Sequence, residues 1–264
     1  MKRLSDASPE TEPQAEAALR LLGALKEEAL RHEAVDHPYL RALATGSFED
    51  PRRALQDFAR EYGGYSSCFL QFLSAVEERL PEEQKRILHE NKAEESGRYD
   101  EETLRELEAA GLRREWVEGI PHPELFKNFQ QSLGVEPDAA VDPSSPVARW
   151  RDELLHLLNN DHPAAAVGAL GLGTELIVSN MYAPVLRGVD RYGGVHPEGR
   201  SFLVLHALVD DSHAASLLEL SARIATDGEA RAALTRGMRR ALDLRAEFWS
   251  ALHEDALSDK ENAA

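Results

Sequence analysis

The chain has 264 residues, 42% of them hydrophobic, enough to build a substantial core within one domain. Its formal net charge is −17, and so large an acidic excess argues against a nucleic-acid surface, which would be basic. Cys68 is the sole cysteine, so no intramolecular disulfide can form, and a reducing cytoplasm is the expected setting.

The opening MKRLSDASPETEPQ has no apolar signal core, and residues 1–13 read as a disordered tail. No run approaches the about 20 apolar residues of a membrane helix, so no membrane is expected as a partner. Apolar residues at helical spacing predict a helix over 14–34, broken by Asp36-His37-Pro38. A second begins at Pro51, with Asp50 as its N-cap, and extends to Leu80 with a soft point at Gly63-Gly64. Pro81-Glu82-Glu83 starts a third, which Gly97 stops.

A polar helix is expected from Asp100 to Ala110, then a loop and a short helix in GIPHPELFKNFQQSLGV. Residues 135–146 read as a long loop inside the domain, followed by a helix over 147–160. Asp161-His162-Pro163 opens another that reaches Tyr182, and RGVDRYGGVHPEGR is a turn-rich connection. Helices over 201–225 and 228–256 close the domain, and 257–264 reads as a flexible tail. With no repeat and no convincing strand, the chain reads as an all-α, single-domain bundle over 14–256.

One stretch in that pattern carries chemistry. His206, Asp210 and His213 stand at i, i+4 and i+7 in FLVLHALVDDSHAASLLEL, so a helix brings all three to one stripe. Their neighbours Phe202, Leu203, Leu205, Leu217 and Leu218 are apolar, which turns the stripe inward, where a lone Asp would be costly. Two imidazoles and a carboxylate suit a transition metal with mixed nitrogen and oxygen ligands; a hydrogen-bonded structural His–Asp cluster is the alternative. Glu175 is the one charged residue between Asp161 and Arg187 and offers a further inward carboxylate. Gly168, Gly171 and Gly173 on the same segment either leave room for a ligand or let two helices pack closely. Glu94 and Glu95 both lie near the apolar face marked by Ile87 and Leu88, and His122 stands at a helix start.

Taken together these residues resemble the haem-oxygenase-like diiron oxidases and oxygenases. Asn91-Lys-Ala-Glu94-Glu95-Ser-Gly97 resembles that family's Asn-x-x-Glu-Glu-x-Gly, and His122 in HPELF fits the His that follows. Glu175 in GLGTELIVSNMYAPVL is similar to the family's Gly-x-Glu helix with Tyr-x-Pro after it. His206-Ala-Leu-Val-Asp210-Asp-Ser-His213 matches its final His-x3-Asp-x2-His, and HPYLRALATGSF resembles its first helix-to-helix connection. The interval from Glu94 to His122 is longer than in compact members and reads as an inserted helix.

The resemblance covers residues 20 to 250 and implies a seven-helix haem-oxygenase-like bundle with an extra short helix. It implies a metal set of Glu94, His122, Glu175, His206, Asp210 and His213, with the first Glu of the pair as ligand and Glu95 as its rival. These would hold two Fe(II), with Fe/Mn as the variant, that activate O2. The implied reactions are N-oxygenation or oxidative cleavage of amino acids in a biosynthetic pathway, or decarboxylation of fatty acids. An external electron donor and a homodimer belong to the same expectation. Tyr65, Tyr182 and Arg187 are candidate substrate contacts, the Arg as a carboxylate clamp. Rival readings are a cofactor-independent oxidase, a thiamin-salvage-like hydrolase using Cys68, a haem protein using His32 or His37, and a non-enzymatic helical interaction protein.

Overall fold

The computed structural model describes residues 11–137, 139–192, 194–208 and 210–262; at 11–15, 208, 210–213 and 259–262 it describes the main chain alone. Among the described residues there is no strand, and the fold is an all-α bundle.

Helix starts follow the capping chemistry of the sequence. The Asp50 side chain accepts from Arg53 N and Pro51 opens α3 (Pro51–Ser66); the labels α1 and α2 go to Thr11–Leu30 and Pro38–Thr45. Two segments differ from expectation here. Residues 38–45, read as a connection, form α2, because the His37 ring accepts from Tyr39 N and takes the role of a cap. The helix expected to reach Leu80 breaks at Ser67–Cys68, just past the paired glycines, and resumes as α4 (Phe69–Glu77).

Next come α5 (Glu82–Glu95), α6 (Glu101–Ala109), α7 (His122–Ser132) and α8 (Pro146–Asn160). Asp100 caps α6 and Ser145 caps α8 through their side-chain oxygens. The α6 helix fills the long interval between the Glu94-Glu95 pair and His122. Gly97 ends α5 at φ +80, and a Cβ there would meet the Ile120 backbone at 2.5 Å, so the α5 terminus is held against the entry to α7.

The apolar segment after Pro163 is not one regular helix. It runs as α9 (Pro163–Val167), a π-helical turn at Gly168–Leu172, a 3-10 turn at Glu175–Ile177 and α10 (Val178–Tyr192). The helix continues ten residues past Tyr182, so the expected turn-rich connection starts later. Pro163–Tyr192 is also long and apolar enough to cross a membrane, contrary to the expectation that no run approaches this; 89% of its most apolar window is buried, which makes it the core segment of the bundle. Then follow α11 (Ser201–Leu208), α12 (Asp210–Ile224) and α13 (Gly228–Asn262), the last continuing through residues expected as a tail.

The core forms around this irregular segment. α13 packs along α9, the π-helical turn and α8; α12 covers the π and 3-10 turns; α10 lies against α2 and α11. Phe58, Tyr62, Tyr65, Phe126, Trp150, Phe248 and Trp249 interlock between α3, α7, α8 and α13. Gly168 in the π-helical turn and Gly173 just after it serve close packing. A Cβ on Gly168 would stand 2.1 Å from Leu234 O, and one on Gly173 would stand 2.7 Å from Met238 O.

Candidate metal centre

Three side chains from separate helices meet at the inner end of α5. Glu95, His122 and His206 are all buried, and one donor atom from each lies within 4.8 Å of the others. Glu95 closes α5, His122 opens α7 and His206 projects from α11, so the cluster joins segments far apart in sequence. Glu95 Oε2 and His122 Nδ1 are 2.9 Å apart, and the His122 and His206 ring centroids are 4.7 Å apart. Two donors at bonds of about 2.1 Å and a right angle stand about 3.0 Å apart, so this spacing fits one shared metal ion.

The ring nitrogens turned away from the cluster are tied down. His206 Nδ1 donates to Phe202 O at 2.7 Å, one turn back on its own helix, which leaves Nε2 with its lone pair for a metal. His122 Nε2 pairs with Tyr99 Oη at 2.7 Å, which leaves Nδ1 on the Glu95 side. Burial, with the Glu95 and Glu94 charges behind it, pushes the Tyr99 phenol above its ordinary range, so Tyr99 is a neutral partner at physiological pH. These are the supports expected around metal-bound imidazoles. A buried set of two imidazoles and a carboxylate fits iron by its chemistry.

Beside the cluster is a small cavity, with about 30 Å³ of room for the centre of a water-sized molecule. Glu95, His122, His206 and Glu175 all border it, together with Tyr62, Tyr65, Phe69, Val178, Tyr182, Phe202 and Arg245. Glu175 is buried on the 3-10 turn that follows the π-helical turn. π-helical turns recur at functional sites because they shift one face of a helix out of register. Tyr182 Oη donates to Tyr62 Oη at 2.8 Å, while Tyr65 stacks on Trp150 at 3.8 Å.

The structure thus brings His122, Glu175 and His206 together with Tyr65 and Tyr182 around one space. Within the glutamate pair, among the described residues Glu95, the rival of the expected Glu94, stands in the cluster, and Glu94 is half-buried beside it. Both stand near the apolar face of α5, but the last turn directs the second inward. Arg187 is exposed on α10 and does not border the cavity. Asp210 and His213 begin α12, and their side chains lie outside the described residues. Sequence reasoning missed Tyr99 and Arg245. Tyr99 carried no signal, whereas Arg245 stands in the apolar stripe of Ala241, Leu244, Phe248 and Trp249, where an Arg is unexpected.

Other candidates lie elsewhere. Cys68 sits between α3 and α4, half-buried, and does not border the cavity. His32 Nδ1 accepts from Ala34 N, and His37 Nδ1 accepts from Tyr39 N as the cap of α2.

The fold and the buried Glu/His/His cluster define a haem-oxygenase-like helical protein with a candidate metal centre. Over residues 56–246 the chain matches the family model described as iron-containing redox enzyme, and it belongs to that family. Among solved structures, it is similar to a CADD-like protein of unknown function from Nostoc punctiforme PCC 73102, with a TM-score of 0.73 and 17% identity over 91% of this chain and 99% of that one. A TenA homologue from Pseudomonas syringae pv. tomato DC3000 matches at TM-score 0.65 and 14% identity, over 96% and 100% of the two chains. A domain of unknown function with a heme oxygenase-like fold from Shewanella denitrificans OS217 matches at 0.64 and 13%, over 97% and 96%. At these identities the likeness concerns the fold. A sequence search of curated proteins returned no significant match.

Proposed function

We propose that the protein is a non-haem diiron oxidase or oxygenase that uses O2 on a small organic substrate, with an amino acid or its derivative as the favoured class. The observation that carries this reading is the buried Glu95–His122–His206 cluster beside a cavity that Glu175 also borders, in a chain of an iron-containing redox family. Glu95, His122, Glu175 and His206 would hold the metals, with Asp210 and His213 completing the set from α12. Bound as a ferrous pair, iron would supply electrons to reduce O2 beside the cavity.

The chain's own residues do the rest. The Phe202 carbonyl holds the Nδ1 proton of His206, and Tyr99 fixes the His122 ring, so neither imidazole rotates or changes tautomer when a metal binds. Phe69, Val178 and Phe202 give the cavity an apolar wall that limits water and favours a compact substrate. Tyr62 and Tyr182 place a hydroxyl pair on that wall, able to orient a polar group of the substrate.

The test is O2 uptake by protein loaded anaerobically with ⁵⁷Fe(II), followed by Mössbauer spectroscopy before and after oxygen. Two coupled ferric ions and O2 consumption stimulated by an amino acid or a fatty acid are expected. Iron that stays mononuclear, or O2 uptake indifferent to every organic substrate offered, would overturn the proposal.

A further inference from the structure

Among the described residues Arg245 is the one Arg or Lys bordering the cavity, and no carboxylate pairs with it directly. It projects from α13, an element that supplies none of the metal-site residues, and it is 1% exposed. Its neighbours on that helix are ordinary surface ion pairs: Arg239 bonds Glu28, and Arg240 bonds Glu153 and Glu247. Arg245 differs. Among the described residues no carboxylate oxygen lies within 4.0 Å of its guanidinium, and its Nε has no hydrogen-bond partner.

The partners it has are neutral. Nη1 donates to Tyr62 Oη at 3.3 Å and to Met181 Sδ at 2.9 Å, and Nη2 donates to Tyr65 Oη at 3.3 Å. Burial pushes the phenols of Tyr65 and Tyr182 above their ordinary range, so neither supplies negative charge at neutral pH. The Trp150 and Tyr65 rings lie 4.9 Å and 5.4 Å from the guanidinium carbon and fix its position. A fixed, desolvated guanidinium at a cavity wall, with only phenol and thioether partners on its Nη atoms, is costly to the free protein and is an arrangement that receives an anion.

We propose that Arg245 is the anion-binding residue of the cavity and that the substrate carries a single carboxylate seated on it. The proposal rests on the cavity being the substrate site of the proposed oxidase. A monoanion balances one guanidinium. A phosphate would bring a second charge among Glu95 and Glu175, which border the same space. Arg245 thereby fixes one end of the substrate, and the distance from that end to the metal site selects the position to be oxidised.

The test uses the full chain, both metal-free in EDTA and loaded anaerobically with Fe(II). Hexanoate and alanine are titrated against hexanamide and alaninamide by calorimetry, in wild type and in R245M and R245K. Wild type is expected to bind one of the carboxylates about tenfold more tightly than its amide even without metal. R245M is expected to lose that preference, and R245K to keep part of it. R245M should also melt no lower than wild type, because it removes an unbalanced buried charge without opening a cavity. If R245M does not fold, R245K decides through a reduced preference. A preference for alanine assigns an amino acid and one for hexanoate an aliphatic acid; either supports the proposal. Equal binding of carboxylate and amide by wild type, an undiminished preference in R245M, or no binding of any probe overturns it. Carboxylate preference in a chain that takes up no iron would sink the diiron reading and leave Arg245 standing; the reverse result would sink Arg245 alone.

Discussion

Replacing Gly237 by alanine tests the claim that α13 and the segment leading to Glu175 meet backbone to backbone. A Cβ on Gly237 would stand 1.9 Å from Ala165 O, and its mirror contact, a Cβ on Gly168, would stand 2.1 Å from Leu234 O. An ordinary contact begins near 3.4 Å, so α13 and α9 must separate by about 1.5 Å, in a core packed as densely as a crystal. Overpacking of this kind costs about 1–3 kcal/mol, and backbone atoms on both sides put the cost at the upper end. Alanine regains up to about 1 kcal/mol of helix propensity, so the net loss is about 1–2 kcal/mol. For a chain of this size that lowers Tm by about 2–8 °C, readable by calorimetry. G23A is the control: Gly23 is an exposed glycine on α1 whose Cβ would meet nothing within 4 Å, so it should gain up to about 1 kcal/mol. G237A as stable as G23A would refute the close approach. Because α13 also carries Arg245, G237A should weaken carboxylate binding as well.

Y99F removes the hydroxyl that holds His122 Nε2 and should weaken iron binding about tenfold, measured by competition with a chelator, with little change in Tm. Unchanged affinity would mean that Tyr99 does not position the ring. His37 gives a pH prediction. Burial, reinforced by His253 and Arg41 and opposed by Glu33, holds its pKa below the ordinary 6.5. The unfolded chain therefore takes up this proton first as pH falls, so the stability is intact above pH 6.5 and is lost as pH drops through the lower folded-state pKa. In urea melts between about pH 7.5 and 5, H37Q should lose less stability than wild type; parallel curves would remove His37 from the acid response.

What the sequence made legible was local. The cap at Asp50 marked a helix start, and apolar periodicity marked the helices, because both signals arise within a few residues of where they act. The π and 3-10 turns around Glu175 escaped, since α12 and α13 press on those glycines from elsewhere in the chain. His206 and Glu175 stood out as polar residues in apolar runs. Glu94 and Glu95 could not be separated, because positions i+7 and i+8 from Ile87 both border the same helix face, and the end of α5 chooses between them. Tyr99 and Arg245 act only through partners far off in sequence, although an arginine in an apolar stripe was itself a sign of a buried charge.

The central claim is that Glu95, His122 and His206 hold iron. Iron content after anaerobic Fe(II) loading and desalting tests this most directly, in wild type, E95Q, E94Q and H206A, with circular dichroism to confirm the fold. The prediction is about two irons per chain in wild type and E94Q, with at least one lost in E95Q and H206A. A folded wild type without iron, or E94Q losing metal while E95Q retains it, would contradict the centre described here.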